Sequence, residues 1–331
     1  DTQVPNGTPA ASFFDIAGDL VLEIGLTPNR ADAASHWGVA RDIRAVTGLP
    51  IQLPSPALVI ESNAHPIAVE VKDAGCDRFC GITIDGIQVA PSPAWLQERL
   101  AAIGLRPINN VVDITNFICH GLGQPMHAYD WNEIKGGKLI VDSLPAGTIF
   151  KTLDGIERKL TGEELMICDA SGAIGMAGVM GGEDSGIKDS TTRVFLEVAH
   201  FKPERIRKAS QIHGLKTDAS FRFERGTDIQ AKLFALEYAA QLIQEVAGGK
   251  ITSEPIDYYP TQVELVSISV SVRRVQQYIG IELAAERIKE ILTLLDFKIE
   301  ADKGDEFVAI SPAYRVDVTR EADIIEEILR I

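Results

Sequence analysis

Cysteine is scarce in this chain, with four residues in 331, too few for a disulfide scaffold. Cys76, Cys80, Cys119 and Cys168 also lack the paired short spacings of a zinc site. Buried, reduced thiols in a cytoplasm are therefore expected. Positive charge is short as well: 32 Lys and Arg face 47 Asp and Glu, for a net charge of −15. That excludes a protein held to nucleic acid mainly by a basic surface, because neutralising phosphates needs clustered cations. No apolar run approaches the roughly 18 residues of a membrane span, and no signal peptide opens the chain. HExxH, DxDxDG, the dinucleotide fingerprint and the P-loop are missing, as is any Ser/His/Asp or Cys/His nucleophilic set. What is there is 45% hydrophobic and 24% charged, the balance of a globular protein. Its length suits two or three domains. The chain opens at Asp1 without Met and stops at Ile331 inside an expected helix, which reads as a piece of something longer.

Residues 20–26 (LVLEIGL) alternate like a strand, and TPNRAD after them reads as a turn. Ser35 is a helix cap and Gly48 a stop, and three prolines between 50 and 56 mark a linker. From 67 onward strands and helices mix. Runs 67–71 and 79–89 alternate, Ser92-Pro93 starts a helix that Gly104 stops, and 111–122 has helical spacing. Five β-like runs follow, then a long amphipathic helix over 228–247. After PIDYYP (255–260) come a strand, two helices, two short strands and a last helix from Thr319, a winged-helix-like outline. The expectation is an α+β protein: a mixed and antiparallel-sheet body with flanking helices, then a small winged-helix-like domain. The divisions fall at 1–54, 55–255 and 256–331. Residues 262–331 carry a net −5, which argues against DNA binding by that unit.

Five stretches could carry chemistry. In GLGQPMHAYD (121–130), His127 is read as a loop residue, structural or catalytic. In GVMGGEDSG (178–186), Gly178, Gly181 and Gly182 let backbone N–H groups approach a ligand, or simply make tight turns. Glu197 interrupts the apolar strand VFLEVA. If buried without a partner it costs several kcal/mol, and the plainer alternative is an edge strand with Glu197 facing water. Residues 201–226 carry a local net charge of +4, a hint of an anionic ligand. In the last helix, Asp323, Glu326 and Glu327 share a face by spacing, with Asp317 just before it. A hard cation such as Mg²⁺ would relieve that crowding, and so would plain solvation at a helix start that favours negative charge.

Six segments, TPNRADAASHWGVARDI (27–43), VVDITNFICHGLGQPMHAYD (111–130), MAGVMGGEDSGI (176–187), FLEVAHFKPERIR (195–207), HGLKTDASFRFERG (213–226) and YRVDVTREADIIEEILRI (314–331), together resemble the β-subunit family of bacterial phenylalanyl-tRNA synthetase. The resemblance implies the end of an interrupted N-terminal domain, a tRNA-editing domain and a winged-helix-like domain. It also implies a cytoplasmic, class II ligase of α2β2 form, in which the ATP-dependent aminoacylation site lies on the α subunit. The partners are then that subunit, tRNA(Phe) and the tyrosine moiety of mischarged tRNA, with no membrane. Glu197 matches the family's reader of the tyrosine hydroxyl, and Gly181, Gly182, Thr217 and Ala219 match its pocket wall and backbone contacts. His127 and Arg106 match its hydrolytic and substrate-end positions. Asp317, Asp323, Glu326 and Glu327 match its Mg²⁺-associated carboxylates. In the mechanism so implied, His127 orients or deprotonates a water while amides near Gly181 and Gly182 hold the oxyanion. The competing reading is a non-catalytic module that docks tRNA or the partner subunit.

Overall fold

A computed structural model of the chain describes residues 4–14, 18 and 20–331. In chain order it contains α1 (Ala10–Phe13), α2 (His36–Thr47), β1 (Ala68–Val71), β2 (Cys76–Asp85), α3 (Ala94–Ala102), α4 (Asn110–Leu122), β3 (His127–Asp130) and β4 (Lys138–Ser143). Then follow β5 (Ile149–Lys151), β6 (Glu157–Lys159), β7 (Leu165–Asp169), β8 (Gly172–Met176), β9 (Met180–Gly181), β10 (Arg193–Phe201), α5 (Pro203–His213), α6 (Asp218–Phe223) and α7 (Lys232–Ala247). The last stretch holds β11 (Lys250–Ile251), β12 (Ile256–Tyr258), β13 (Ser267–Ser271), α8 (Val272–Ile279), α9 (Ala285–Leu294), β14 (Lys298–Glu300), β15 (Glu306–Ile310) and α10 (Glu321–Arg330).

Two five-stranded sheets build the body. One runs β11-β2-β10-β3 with β12 also on β2, and the other runs β1-β4-β7-β8-β9. Strand alternation sends the two faces of β10 into different cores. Val194, Leu196 and Val198 join Ile82 and Ile84 of β2 against Leu96, Ile114, Ile118, Leu236 and Ile243 of α3, α4 and α7. Phe195, Ala199 and Phe201 join Phe79 and Tyr129 against Leu139, Val141, Met166 and Met176 of the second sheet. The order of layers is thus helices, first sheet, second sheet. The C-terminal unit packs α8, α9 and α10 on the sheet β13-β15-β14 around Val275, Ile288, Leu292 and Phe307, with Ala45 of α2 in the same core.

Local signals explain most element ends. Ser35 Oγ accepts from the Gly38 amide, and Gly48 ends α2 in a left-handed conformation. Asn109 caps α4 through two amides. Ser92 does not cap α3, whose preceding residue is Pro93. Its hydroxyl instead donates to Asp113 at 2.5 Å. Helix α7 starts at Lys232, four residues later than the pattern suggested.

One expectation fails here, the strand over 20–26. Residues 21–26 belong to no sheet, and Val21, Leu22 and Ile24 are more than half exposed. Alternation makes a strand only where another strand accepts its hydrogen bonds. Conversely, Ile256–Tyr258 pairs with Gly81, Cys80 and Phe79 of β2. This short strand thus pairs with the body although it lies just past the division expected at 255/256.

Candidate functional site

Strand β10 lies between β2 and β3, which removes the edge-strand reading of Glu197. Its register sets Glu197 opposite His127 and Phe195 opposite Tyr129 on β3. These four side chains share the face turned toward the second sheet. His127, expected in a loop, is the first residue of that strand. Glu197 is 6% exposed, and the Tyr129 phenol donates to its Oε2 at 2.7 Å. Burial pushes the Glu197 carboxyl up to about 7, and the Tyr129 hydrogen bond keeps it from rising further. The same burial, and the carboxylate, push the Tyr129 phenol well above its ordinary value. A carboxyl poised near neutrality in a dry site is an environment that functional groups use.

His127 stands edge-on to Tyr129, with ring centroids 4.3 Å apart. Its Nε2 is buried and has no hydrogen-bond partner among the described residues. Desolvation pulls the imidazole down to about 4, so the ring is neutral at pH 7 and has a nitrogen in need of a partner. Gly181 is required by this packing: a Cβ there would stand 2.8 Å from His127 Cε1 and 3.1 Å from Leu153 Cδ1. At Gly182 a Cβ would stand 2.7 Å from the Ile174 carbonyl oxygen. The Gly182 amide, expected as an oxyanion donor, instead donates to that carbonyl at 2.8 Å. A sheet bond thus uses the group the sequence reading had assigned to the ligand.

Thr217 caps α6 by accepting from the Ser220 amide, and its hydroxyl donates to the Val179 carbonyl at 2.9 Å, two residues from Gly181. Ala219 packs on the core that contains Tyr129. Thr217 and Ala219 thus adjoin the Gly181 segment, while buried Glu197 and Tyr129 and half-buried His127 form the centre. Arg106 is exposed between α3 and α4, and among the described residues no hydrogen bond or ion pair joins it to His127 or Glu197. The basic stretch 201–226 is largely paired within the chain: Arg205 with Asp73, Lys208 with Glu163, Arg222 with Asp218 and Arg225 with Glu224. Tyr129 was missed by the sequence reading, although it stands two residues after His127, the spacing that puts both on one strand face.

The carboxylates near the C-terminus do not converge as a cation site. Asp317 accepts from Arg315 at 2.9 Å and from Asn29 at 3.1 Å. Glu327, almost fully buried, is bound by Arg315 and Arg330. Although burial alone would raise it, these guanidiniums hold the Glu327 carboxyl down at about 2. Asp323 accepts the Thr319 and Arg320 amides at the start of α10, and Glu326 is exposed. The shared acidic face is therefore corrected: Glu327 turns inward with Ile324, Ile325 and Ile328 because Arg315, from the loop before the helix, neutralises it. Among the described residues no group of three carboxylate, His or Cys side chains could hold a metal ion.

Comparison with known proteins is consistent over the whole chain. Residues 75–248 match the B3/4 domain family, and residues 268–331 match the tRNA synthetase B5 domain. The phenylalanine–tRNA ligase β subunit of Bacteroides fragilis (strain YCH46) is 47% identical over 98% of this chain and 40% of its own length. The Porphyromonas gingivalis subunit of the same name is 44% identical over 100% and 41%, and that of Geobacter metallireducens is 41% identical over 100% and 41%. The chain thus spans about two fifths of the curated relatives it matches. A crystal structure of an N-terminal fragment of the phenylalanyl-tRNA synthetase β subunit from Pyrococcus horikoshii overlaps 91% of this chain and 84% of that one, at 18% identity and a TM-score of 0.45.

Proposed function

The chain belongs to the B3/4 domain family, as it occurs in phenylalanine–tRNA ligase β subunits, and from that premise we propose that it carries an editing site. That site hydrolyses tyrosine mischarged onto tRNA(Phe). A single observation carries this reading: buried Glu197 already accepts a phenolic O–H, that of Tyr129, at 2.7 Å. A carboxylate so placed is chemically matched to a tyrosine hydroxyl. An apolar pocket rejects an added hydroxyl by only about 10², whereas a site that hydrogen-bonds the hydroxyl rejects its absence by about 10⁴–10⁵. Selection for tyrosine therefore needs a second, polar pocket separate from the site that charges phenylalanine.

The bond broken is an activated ester, so a positioned water suffices as nucleophile and no covalent intermediate is required. His127, neutral at pH 7 and with its buried Nε2 lacking a partner among the described residues, orients or partly deprotonates that water. Gly181 leaves the ring room to do so. Thr217 and Ala219 wall the ligand, and Arg106 meets the tRNA end of the substrate. The Gly182 amide has no part in the oxyanion hole, since Ile174 takes it. The domain division we propose is an N-terminal arm to residue 54, an editing body through Tyr258 and a winged-helix-like unit after it.

The wider setting we propose is a cytoplasmic class II ligase with an α-subunit partner, tRNA(Phe), ATP and Mg²⁺. The carboxylates of this chain do not fit Mg²⁺ as arranged, because Arg315 already binds two of them. No catalytic step runs through the ion here. The test is deacylation of Tyr-tRNA(Phe) by the two-subunit enzyme. His127→Ala should slow it by about 10²–10⁴ and leave phenylalanine charging intact. Full-rate editing by that variant would remove His127 from the chemistry, and no editing by the wild type would favour the docking-module reading.

A further inference from the structure

We propose that Tyr129 is a positioning residue of the hydroxyl-reading subsite: its phenol anchors Oε2 of Glu197 so that Oε1 is presented to a phenolic ligand. The inference rests on the reading of Glu197 just given and extends it to a residue not yet assigned a role. An ionised carboxylate has two oxygens and about four acceptor positions, so one phenol bound does not exclude another. Tyr129 takes Oε2 at 2.7 Å, and Oε1 accepts no hydrogen bond among the described residues.

The strand register makes the anchor rigid. Tyr129 lies opposite Phe195 on the neighbouring strand, one pleat along from the Glu197–His127 pair, so the phenol reaches the carboxylate diagonally. The Tyr129 ring is 2% exposed and braced edge-on by His127. No other group of the site can do the same work. The titratable neighbours are His127 and Tyr129 on β3, Cys76 on β2 and Cys168 on β7. None is charged at neutral pH, since burial pushes the Cys76 and Cys168 thiols up and the imidazole down. Among the described residues no Lys or Arg pairs with Glu197. The phenol is the donor that keeps this carboxylate both ionisable and aimed. Without it, Glu197 would be a buried acid free to turn and more strongly inclined to hold its proton.

The experiment is calorimetric binding of L-tyrosine and L-phenylalanine to the two-subunit enzyme between pH 6 and 9, comparing wild type, Tyr129→Phe and Glu197→Gln. Taking the ratio of the two affinities cancels effects common to both ligands. In the wild type the preference for tyrosine should rise with a midpoint near the Glu197 value of about 7. Losing a hydrogen bond to a charged group should move the Tyr129→Phe midpoint up by about one to two pH units. At pH 7 that is a drop of about five- to fiftyfold in the preference, recovered toward pH 9. Glu197→Gln should abolish the pH dependence. A Tyr129→Phe midpoint equal to that of the wild type, beside a Glu197→Gln that loses the preference, overturns the role of Tyr129 alone. Equal weakening of both ligands by Tyr129→Phe overturns it too, by showing a purely structural part. A wild type that binds the two amino acids alike, or a Glu197→Gln that keeps the preference, removes the Glu197 reading and this inference with it.

Discussion

Replacing Glu197 by Gln should make the protein more stable at alkaline pH and leave it unchanged in acid. The side chain is nearly the same size, so the difference is one of charge. Burial raises the carboxyl from 4.5 to about 7, and at roughly 1.4 kcal/mol per unit this is about 3 kcal/mol of stability forgone above pH 7. The sign follows from proton counting. Between pH 4.5 and 7 the folded protein keeps a proton that the unfolded chain releases, so wild-type stability falls as pH rises through that window and then levels off. Gln has no proton to lose and no such slope. The two proteins should therefore unfold alike at pH 4.5 and diverge by about 3 kcal/mol at pH 8. His127 adds a loss of its own as pH falls from about 6.5 to about 4, because its folded value is depressed, but it is common to both proteins and cancels. Urea titration at several pH values reads the effect. With a slope of about 1–3 kcal/mol per M, the Glu197→Gln midpoint at pH 8 should move up by roughly 1 M or more. A lower midpoint at pH 8, or an offset that does not change with pH, would refute the claim that Glu197 is a buried, cation-free acid.

Gly181→Ala places a methyl 2.8 Å from His127 Cε1, so the ring must shift, and Tyr-tRNA(Phe) hydrolysis should fall about tenfold or more while the fold survives. An unchanged rate would detach His127 from that wall. Arg315→Ala strips Glu327, whose side chain is 1% exposed, of its main partner and should destabilise the C-terminal unit by about 3–5 kcal/mol in denaturant titration. The double replacement Arg315→Met with Glu327→Leu should recover most of that loss, and failure to recover would point to Asp317 as the true dependant of Arg315.

Much of this site was legible because its signals are local. The apolar run around Glu197 advertised a strand with a misplaced charge, Ser35 marked a helix start through a side chain that accepts a helix amide, and Gly48 marked a helix end through a left-handed conformation that other residues adopt at a cost. What could not be read depends on partners far along the chain. The bond between Tyr129 and Glu197 joins residues 68 positions apart and exists only in one register of β3 on β10. The inward turn of Glu327 depends on Arg315, which is not on the helix whose spacing was being read. The strand pattern of 20–26 failed because periodicity reports which face is apolar and says nothing of whether a neighbouring strand is present.

Placing an expensive carboxylate on a buried central strand of the body has a physical logic. On an exposed loop Glu197 would be fully hydrated, and a ligand lacking a hydroxyl would lose little there, because water would satisfy the oxygen it left behind. On β10 that escape is closed. Val194, Phe195, Leu196 and Val198 are fully buried around it, each contributing about 1.5–3 kcal/mol, so the strand holds its position despite the charge. A phenylalanine side chain in the same place would leave a buried acceptor without a donor, at about 1–3 kcal/mol or more for a charged group. Selectivity of this kind needs an acceptor that cannot relax. In the function we propose, Glu197, with one oxygen tied to Tyr129, is such an acceptor, and the stability lost to its burial is what would let it tell a hydroxyl from its absence.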